Sequence, residues 1–481
     1  MPAPLAILIC AVVIAILFYL DRDKSVRNSK ALWIPIIWLC LVGSRPITGW
    51  FEMSNSLNTP VSDLDGSPVD ATVYAVLLVI GIVVLAVRRK KTGLYLAAMA
   101  PILAYFAYCL ISVAWSPVPV ASLKRWIKDM GDVVMVLIIV TDTQPFGALR
   151  RIFPKVAFML FPLSLALTRY TTLGRVWDND GNLWFVGVTM NKNMFGLMLF
   201  VISLGVLWNV RWLFVNKGEP GRNRRLVAQG IVLVIGLVLL SKAHSSTSLA
   251  CFYLGAGLML VTHLRTIRSR PSRVYMLGLG VFALAGLAIV LGGAGDVANS
   301  MGKDASFSGR TLIWAALIPT VTNPIIGTGF DSYWNSRNVL MFQNTLNSSG
   351  WYHAEALNEA HNGYLEVYLN LGWIGICLLA TILVTGYRRA CQAYKHDREL
   401  GSLFLAYIIT GMFYNITEAG FRTMGAGWFF ILFSVIGASG VMAGLFPNKM
   451  AIDRMPRRAG VSLRARSLVL GEAHLEDKGA I

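Results

Sequence analysis

Apolar runs of roughly a dozen to twenty residues recur along almost the whole chain, separated by short polar stretches. They fall near residues 4–20, 31–44, 72–87, 93–114, 130–141, 152–168, 193–208, 226–240, 249–263, 274–294, 364–387, 401–416 and 426–446. In lipid each span must satisfy its own backbone hydrogen bonds, so runs of this kind are expected to be helices. The pattern breaks at length only once, over residues 295–363. The expected architecture is therefore all-α, a polytopic membrane helix bundle of about 12–13 spans. Ten spans occupy residues 1–294, a large outward loop containing short helices occupies 295–363, three more spans occupy 364–446, and a basic tail occupies 447–481.

Composition agrees with the pattern. Hydrophobic residues make up 56% of the 481 and charged residues only 14%, against about 25% charged in a soluble domain. The net charge of +18 would suit nucleic acid, but its placement argues for topology instead. Sorted by alternate loops, 31 of the 43 Lys and Arg residues fall on one side of the bundle. The positive-inside rule makes that side cytoplasmic, with an outward N-terminus, a cytoplasmic C-terminus and an odd number of spans. The excess then serves orientation and contact with anionic membrane lipids, and no nucleic-acid partner is expected. The first span carries its basic cluster (Arg22, Lys24, Arg27, Lys30) after it, which reads as an anchor rather than a cleaved signal.

Six cysteines form no CxxC or Cys/His cluster, so neither a disulfide framework nor a zinc site is indicated. Asp63-Leu-Asp65-Gly66 and Asp178-Asn-Asp180-Gly181 resemble DxD metal motifs, yet Asp followed by Gly is a common turn sequence and both lie outward, away from nucleotide sugars. No metal and no cofactor is expected. The chain has no internal repeat of the kind found in many transporters.

The twelve cations of the poor side carry the candidate chemistry. Several sit at span ends, where a lipid phosphate would lie: Arg45 in Arg-Pro-Ile-Thr-Gly-Trp, Arg125 in a run read as an interfacial helix, and Lys192 between two asparagines. Lys242 and His244 precede a Ser/Thr segment, and Arg310 follows Ser308-Gly309. Singly, each reads equally as a snorkelling side chain or a salt bridge; together they fit a pocket for a diphosphate, whose oxygens match forked guanidinium donors. His361 opens the eleventh span. If the helix starts there, His361, Tyr364 and Tyr368 share a face and Glu366 turns elsewhere. An outward histidine can take a proton from a sugar hydroxyl, or simply cap the helix. The loop aromatics Trp314, Tyr333, Trp334, Trp351 and Tyr352 suit either sugar rings or an interfacial belt.

In their order these motifs resemble the bacterial O-antigen ligase and O-antigen/exopolysaccharide polymerase superfamily, succinoglycan-polymerase-like members included. The residues that carry the resemblance are Trp115-Ser116, Gly187 with Asn191-Lys-Asn193, Ser245–Ser248, Ser308-Gly-Arg310 with Trp314, Gly327-Thr-Gly329-Phe330, and His361-Asn362 with Leu371-Gly372-Trp373. It is strongest over residues 180–380. The resemblance implies a fold like that of C-type glycosyltransferases and a metal-independent enzyme in the bacterial inner membrane, its site facing the periplasm. It implies undecaprenyl-diphosphate-linked oligosaccharide as donor, and a growing glycan or lipid A core as acceptor. His361 takes the catalytic position, Arg310 a diphosphate- or glycan-binding one, and Lys242 or His244 replaces a cation usual in the family. Glu418 falls at another recurring position. The polymerase reading leads, on the Ser/Thr segment; ligation to lipid A core is the alternative, and a lipid-linked glycan flippase the alternative of another class.

Overall fold

The structure, a computed structural model, describes residues 2–23, 28–51, 67–177, 181–290, 310–348, 359–422 and 425–446. The first of its two compact units, Met1–Ala443, contains all the elements below. Among the described residues each of the thirteen apolar runs is mostly helical: α1 (Ala3–Asp21), α2 (Trp33–Val42), α3 (Pro68–Val87), α4 (Arg89–Ala98) with α5 (Ala100–Ser112), α6 (Pro119–Val140), α7 (Pro145–Tyr170), α8 (Lys192–Val215), α9 (Arg222–Lys242), α10 (Ser246–Thr262), α11 (Arg273–Val290), then α14 (Gly363–His396), α15 (Arg398–Thr417) and α16 (Ala426–Met442). The loop contributes α12 (Arg310–Leu317) and α13 (Ser336–Ser348). Among the described residues seven helices are long and apolar enough to cross a membrane, eight if the bent α4–α5 pair is one span. The protein is a polytopic all-α membrane protein.

Three boundaries differ from the sequence reading. The run 93–114 is not one straight span: α4 and α5 meet at 84°, because Pro101 lacks the N–H that would continue the first helix. The interfacial run around Arg125 and the span 130–141 are one helix, α6. Hydropathy marked only its second half, since Lys124, Arg125, Lys128 and Asp129 interrupt the apolar pattern without interrupting the backbone. A small antiparallel strand pair, β1 (Arg175–Trp177) with β2 (Leu183–Phe185), lies on either side of the Asp178–Gly181 motif; residues 178–180 lie outside the described residues, and Gly181 has φ +79°. The other Asp-Gly motif at 63–66, the Trp351–Tyr352 pair and the tail 447–481 lie outside the described residues.

Burial sorts the helices. In α1 and α3 only 17% of the apolar window is covered by protein, against 72% in α7, α8 and α15, so α1 and α3 present Leu, Ile and Val outward. The centre is held by aromatic packing: Tyr407 stacks on Phe430 at 4.9 Å between centroids, and Phe153 stacks on Phe430 at 5.9 Å. Ends assigned to the basic side carry buried ion pairs, Arg225 with Asp23 at 3.0 Å and Arg150 with Glu219 at 3.2 Å. Those cations therefore tie the ends of α1, α7 and α9 together.

One irregularity positions the site. Helix α14 breaks at Gly372, where φ is 62° and ψ −162°. The turn Pro324–Gly329 runs through the break and takes up the backbone groups it frees. Trp373 N–H donates to Pro324 O (2.9 Å), Ile374 N–H to Ile325 O (3.1 Å) and Gly329 N–H to Asn370 O (2.8 Å), while Tyr108 O–H donates to Leu371 O (3.1 Å). Irregular backbone inside a bundle persists only when it is satisfied in this way. A Cβ at Gly372 would lie 2.3 Å from Ile325 O. Gly372→Ala is expected to cost about 3 kcal/mol and to lower the unfolding temperature in detergent. Gly93→Ala, where a Cβ meets nothing within 4 Å, is expected to change it little.

Candidate active site

The loop 310–363 folds on a core of its own, and that core sets the position of His361. Ile313, Leu317, Tyr333, Trp334, Phe342, Ala360 and Leu369 form one buried cluster. Trp314 and Trp334 are therefore neither a belt nor a sugar platform: their ring nitrogens serve the fold. Trp314 Nε1 donates to Ala360 O at 2.9 Å and Trp334 Nε1 to the Glu366 carboxylate at 2.9 Å, which in turn accepts Ala360 N–H at 2.6 Å. Both polar groups of the peptide before His361 are thus fixed, and the Glu366 read as turned away is what fixes one of them.

On the other side, Asn362 caps α14. Its side chain accepts from Tyr364 N (3.0 Å) and Leu365 N (2.9 Å) and donates to Ile416 O (3.1 Å). Gly363 N–H donates to Glu418 O at 3.0 Å. The helix therefore starts after His361, and the shared face with Tyr364 and Tyr368 does not exist. His361 itself has φ +48°. Among the described residues the non-glycine residues with positive φ are His244, Asp331 and His361, each next to a candidate cation, and such strain persists where surroundings over-determine the backbone.

Four elements converge on the ring. His361 Nδ1 lies 3.0 Å from Glu359 Oε1 and 3.4 Å from Glu418 Oε2. Glu418, almost fully buried after α15, also accepts from Arg310 Nη2 at 2.6 Å and from Asn193 Nδ2, at the start of α8, at 3.0 Å. Glu359 accepts from Arg422 Nη1 at 2.8 Å. The two residues singled out in this loop, Arg310 and His361, thus meet through one carboxylate. Burial opposes a charge on His361, but hydrogen bonds to Glu359 and Glu418 and the charges of both outweigh it and raise the ring to about 9. Burial likewise pushes the Glu359 carboxyl up, and His361 and Arg422 reverse this to hold it well below the usual carboxylate range. Nδ1 faces both carboxylates, so Nε2 is the nitrogen left for chemistry; it has no partner among the described residues.

The other candidate cations divide. Lys192 lies 3.4 Å over the Trp184 ring, which also makes a T-shaped contact with His244 at 5.3 Å, so these two share an aromatic; Lys192 is the neighbour of Asn193, which bonds Glu418. Arg125 donates to Asp331 O and approaches its carboxylate at 3.8 Å; Asp331 lines a pocket with Tyr105, Phe330, Glu366 and Arg422. Lys242 is exposed at the end of α9 and makes no ion pair or hydrogen bond with the cluster. Arg45 stands away from the cluster. It is buried, and its guanidinium donates to the carbonyls of Leu173 (2.7 Å), Gly187 (3.2 Å), Val188 (3.4 Å) and Thr189 (3.1 Å). It braces the loop before α8 through Nε and Nη2, and Nη1 takes no part in these four bonds. The Ser/Thr segment is likewise spent within the fold: Ser245 bonds Ser248 and Thr247 bonds Thr417, both at 2.9 Å.

Glu359, His361 and Glu418 offer ligand-type atoms within 4.8 Å of one another. Each carboxylate already carries a guanidinium, so a divalent cation would meet two fixed positive charges there. The same arrangement suits an anion arriving beside Arg310 and Arg422. Sequence analysis missed Glu359 and gave Arg422 and Glu418 no role. The available signal was an acid two residues before the histidine.

The chain is thus a polytopic helical bundle with a guanidinium–carboxylate–imidazole cluster among its helix ends and loop, and it is similar to membrane proteins of the O-antigen ligase type. The O-antigen ligase family matches residues 230–380, the span that holds α12, the loop core and His361. Over 333 residues the chain is 28% identical to the exopolysaccharide production protein ExoQ of Rhizobium meliloti (strain 1021), covering 67% of this chain and 72% of that protein. Both comparisons support the O-antigen ligase/polymerase superfamily for this chain.

Proposed function

We propose that the protein is a glycan polymerase of the bacterial inner membrane, joining undecaprenyl-diphosphate-linked oligosaccharides at the periplasmic face without a metal ion. The observation that carries this reading is the convergence on Glu418 of Arg310 and His361. A cation for the leaving group and a nitrogen for the acceptor proton stand on either side of one buried carboxylate.

The acceptor hydroxyl oxygen attacks the anomeric carbon of the donor, and its proton passes to His361 Nε2 once that nitrogen is neutral. The bond from the anomeric carbon to the diphosphate oxygen breaks, and its electron pair leaves with the lipid diphosphate. Arg310, with Arg422 and Lys192 as further cations on the same network, balances that charge in place of a metal. Attack opposite the leaving group inverts the anomeric configuration. Polymerisation is preferred to transfer onto lipid A core because the 333-residue similarity is to a protein named for exopolysaccharide production. The flippase alternative needs charged groups facing a path through mid-span, whereas the cluster here gathers helix ends and a loop.

The test is reconstitution of the full-length protein in proteoliposomes with lipid-linked oligosaccharide, with and without EDTA. The expected result is a ladder of longer lipid-linked glycans, insensitive to EDTA, with inverted configuration at each new linkage by NMR. Transport of the glycan without extension would refute the enzyme reading, and retained configuration would refute the single displacement.

A further inference from the structure

Glu359 has no place in the reaction as written, and its geometry, with Arg422 on its far oxygen, gives it one. Glu359 stands two residues before His361, with Oε1 3.0 Å from the ring Nδ1 and Oε2 2.8 Å from Arg422 Nη1. Arg422 comes from the turn between α15 and α16, a different element from the loop that carries Glu359 and His361. The three side chains form a line, guanidinium to carboxylate to imidazole, with the carboxylate bridging end to end. Glu418 touches the same nitrogen from farther away, at 3.4 Å, and shares its charge with Arg310 and Asn193. Of the two carboxylates, Glu359 is the nearer and the less shared.

We infer that Glu359, held by Arg422, is the positioning residue of the reaction: it fixes His361 Nδ1–H, turns Nε2 towards the acceptor, and sets how readily the ring gives up its second proton. The inference rests on the proposed role of His361 as base and adds two residues that composition and motif order did not mark. A carboxylate on one ring nitrogen selects the tautomer whose other nitrogen is free to accept a proton. A guanidinium on the far oxygen stops that carboxylate from rotating away and tempers its charge. The charged groups facing the ring are Glu359 and Glu418. Behind them stand Arg422 and Arg310, and Glu366 holds the peptide of Ala360 from α14. Removing a negative charge should make the ring easier to deprotonate, and removing a positive one should make it harder.

The experiment is the pH–rate profile of polymerisation by the reconstituted full-length protein, for wild type, Glu359→Gln, Glu359→Ala and Arg422→Gln, with His361→Ala in parallel. In Glu359→Gln the amide oxygen still accepts from Nδ1–H, so the alkaline plateau of kcat is expected to stay within about threefold of wild type. The rising limb is expected to move at least about one pH unit to the acid side. Glu359→Ala is expected to show the same acid shift and a plateau lowered about tenfold, because orientation is lost as well. Arg422→Gln is expected to move the limb the other way. A fold defect lowers a plateau but does not move a limb in opposite directions for opposite charges. An unmoved limb in both Glu359→Gln and Arg422→Gln overturns the inference while leaving the base role of His361 intact. Full activity in His361→Ala instead overturns the reading beneath it.

Discussion

Replacing His361 by Ala is expected to reduce polymerisation about 10³-fold, the range of a positioned general base, with the protein still inserted and folded. The side chain is only partly buried, and the peptide before it is fixed by Trp314 and Glu366 through backbone atoms of Ala360, not through the imidazole. Ala at φ +48° carries some strain, but Gly363, Asn362 and Ala360 keep their bonds, so the loop should hold. The wild-type profile should rise with pH. A ring raised to about 9 is an imidazolium at neutral pH, and the neutral base appears as pH climbs through that value. At pH 7.5 only roughly 3% of such a ring is unprotonated, so the rate there should be a small fraction of the alkaline plateau. The measurement is initial rate of chain extension against pH for both proteins. A wild-type profile flat between pH 7 and 10 would mean that this imidazole is not the base. An Ala variant retaining a tenth of the activity would mean the same.

The helical class was legible because thirteen apolar runs are long enough to see without any knowledge of packing, and their described residues are mostly helical, one run being split between α4 and α5. The details that failed are those where hydropathy and backbone part company. Lys124, Arg125 and Lys128 made the first half of α6 look interfacial, yet charged residues are compatible with helical backbone when Asp331 and the ring of Tyr74 receive them. The break at Gly372 was invisible for the opposite reason. Leu371-Gly-Trp-Ile-Gly375 is apolar throughout, and only the turn Pro324–Gly329, fifty residues earlier, explains why the helix opens there.

At the site, residue types were more legible than partners. Arg310 and His361 stood out because outward cations and histidines are few, and the structure brings them to one carboxylate. Arg45 stood out for the same reason and proved to be a brace, since nothing in its sequence neighbourhood announces four carbonyls 128 to 144 residues away. Glu366 was placed by helical phase from a start at His361; the true start at Gly363 and the burial of Trp334 turn it into a support. Glu418 and Arg422 come from the turn between α15 and α16, where a sequence shows charge without showing what it faces. Long-range pairing of single side chains is set by packing, and packing is the part that apolar periodicity does not encode.

Arg310 and Glu418 are expected to separate binding from architecture. The Glu418 carboxylate is almost fully buried and takes its shortest bond, 2.6 Å, from Arg310. Arg310→Met removes that partner and leaves the carboxylate with Asn193 and His361, so stability should fall by about 3 kcal/mol. Replacing both, as Arg310→Met with Glu418→Gln, removes the uncompensated charge; the amide still accepts from Asn193, and most of that loss should return. Activity should not. If Arg310 balances the departing diphosphate, both variants lack that charge, and each should extend chains about 10²-fold more slowly, the cost of one lost electrostatic donor. Thermal unfolding in detergent and chain-extension rate, measured on the two variants and on Glu418→Gln alone, complete the cycle. Recovery of rate together with stability in the double variant would make Arg310 a structural partner of Glu418 and nothing more, and the charge on the leaving group would have to be met by Arg422 or Lys192.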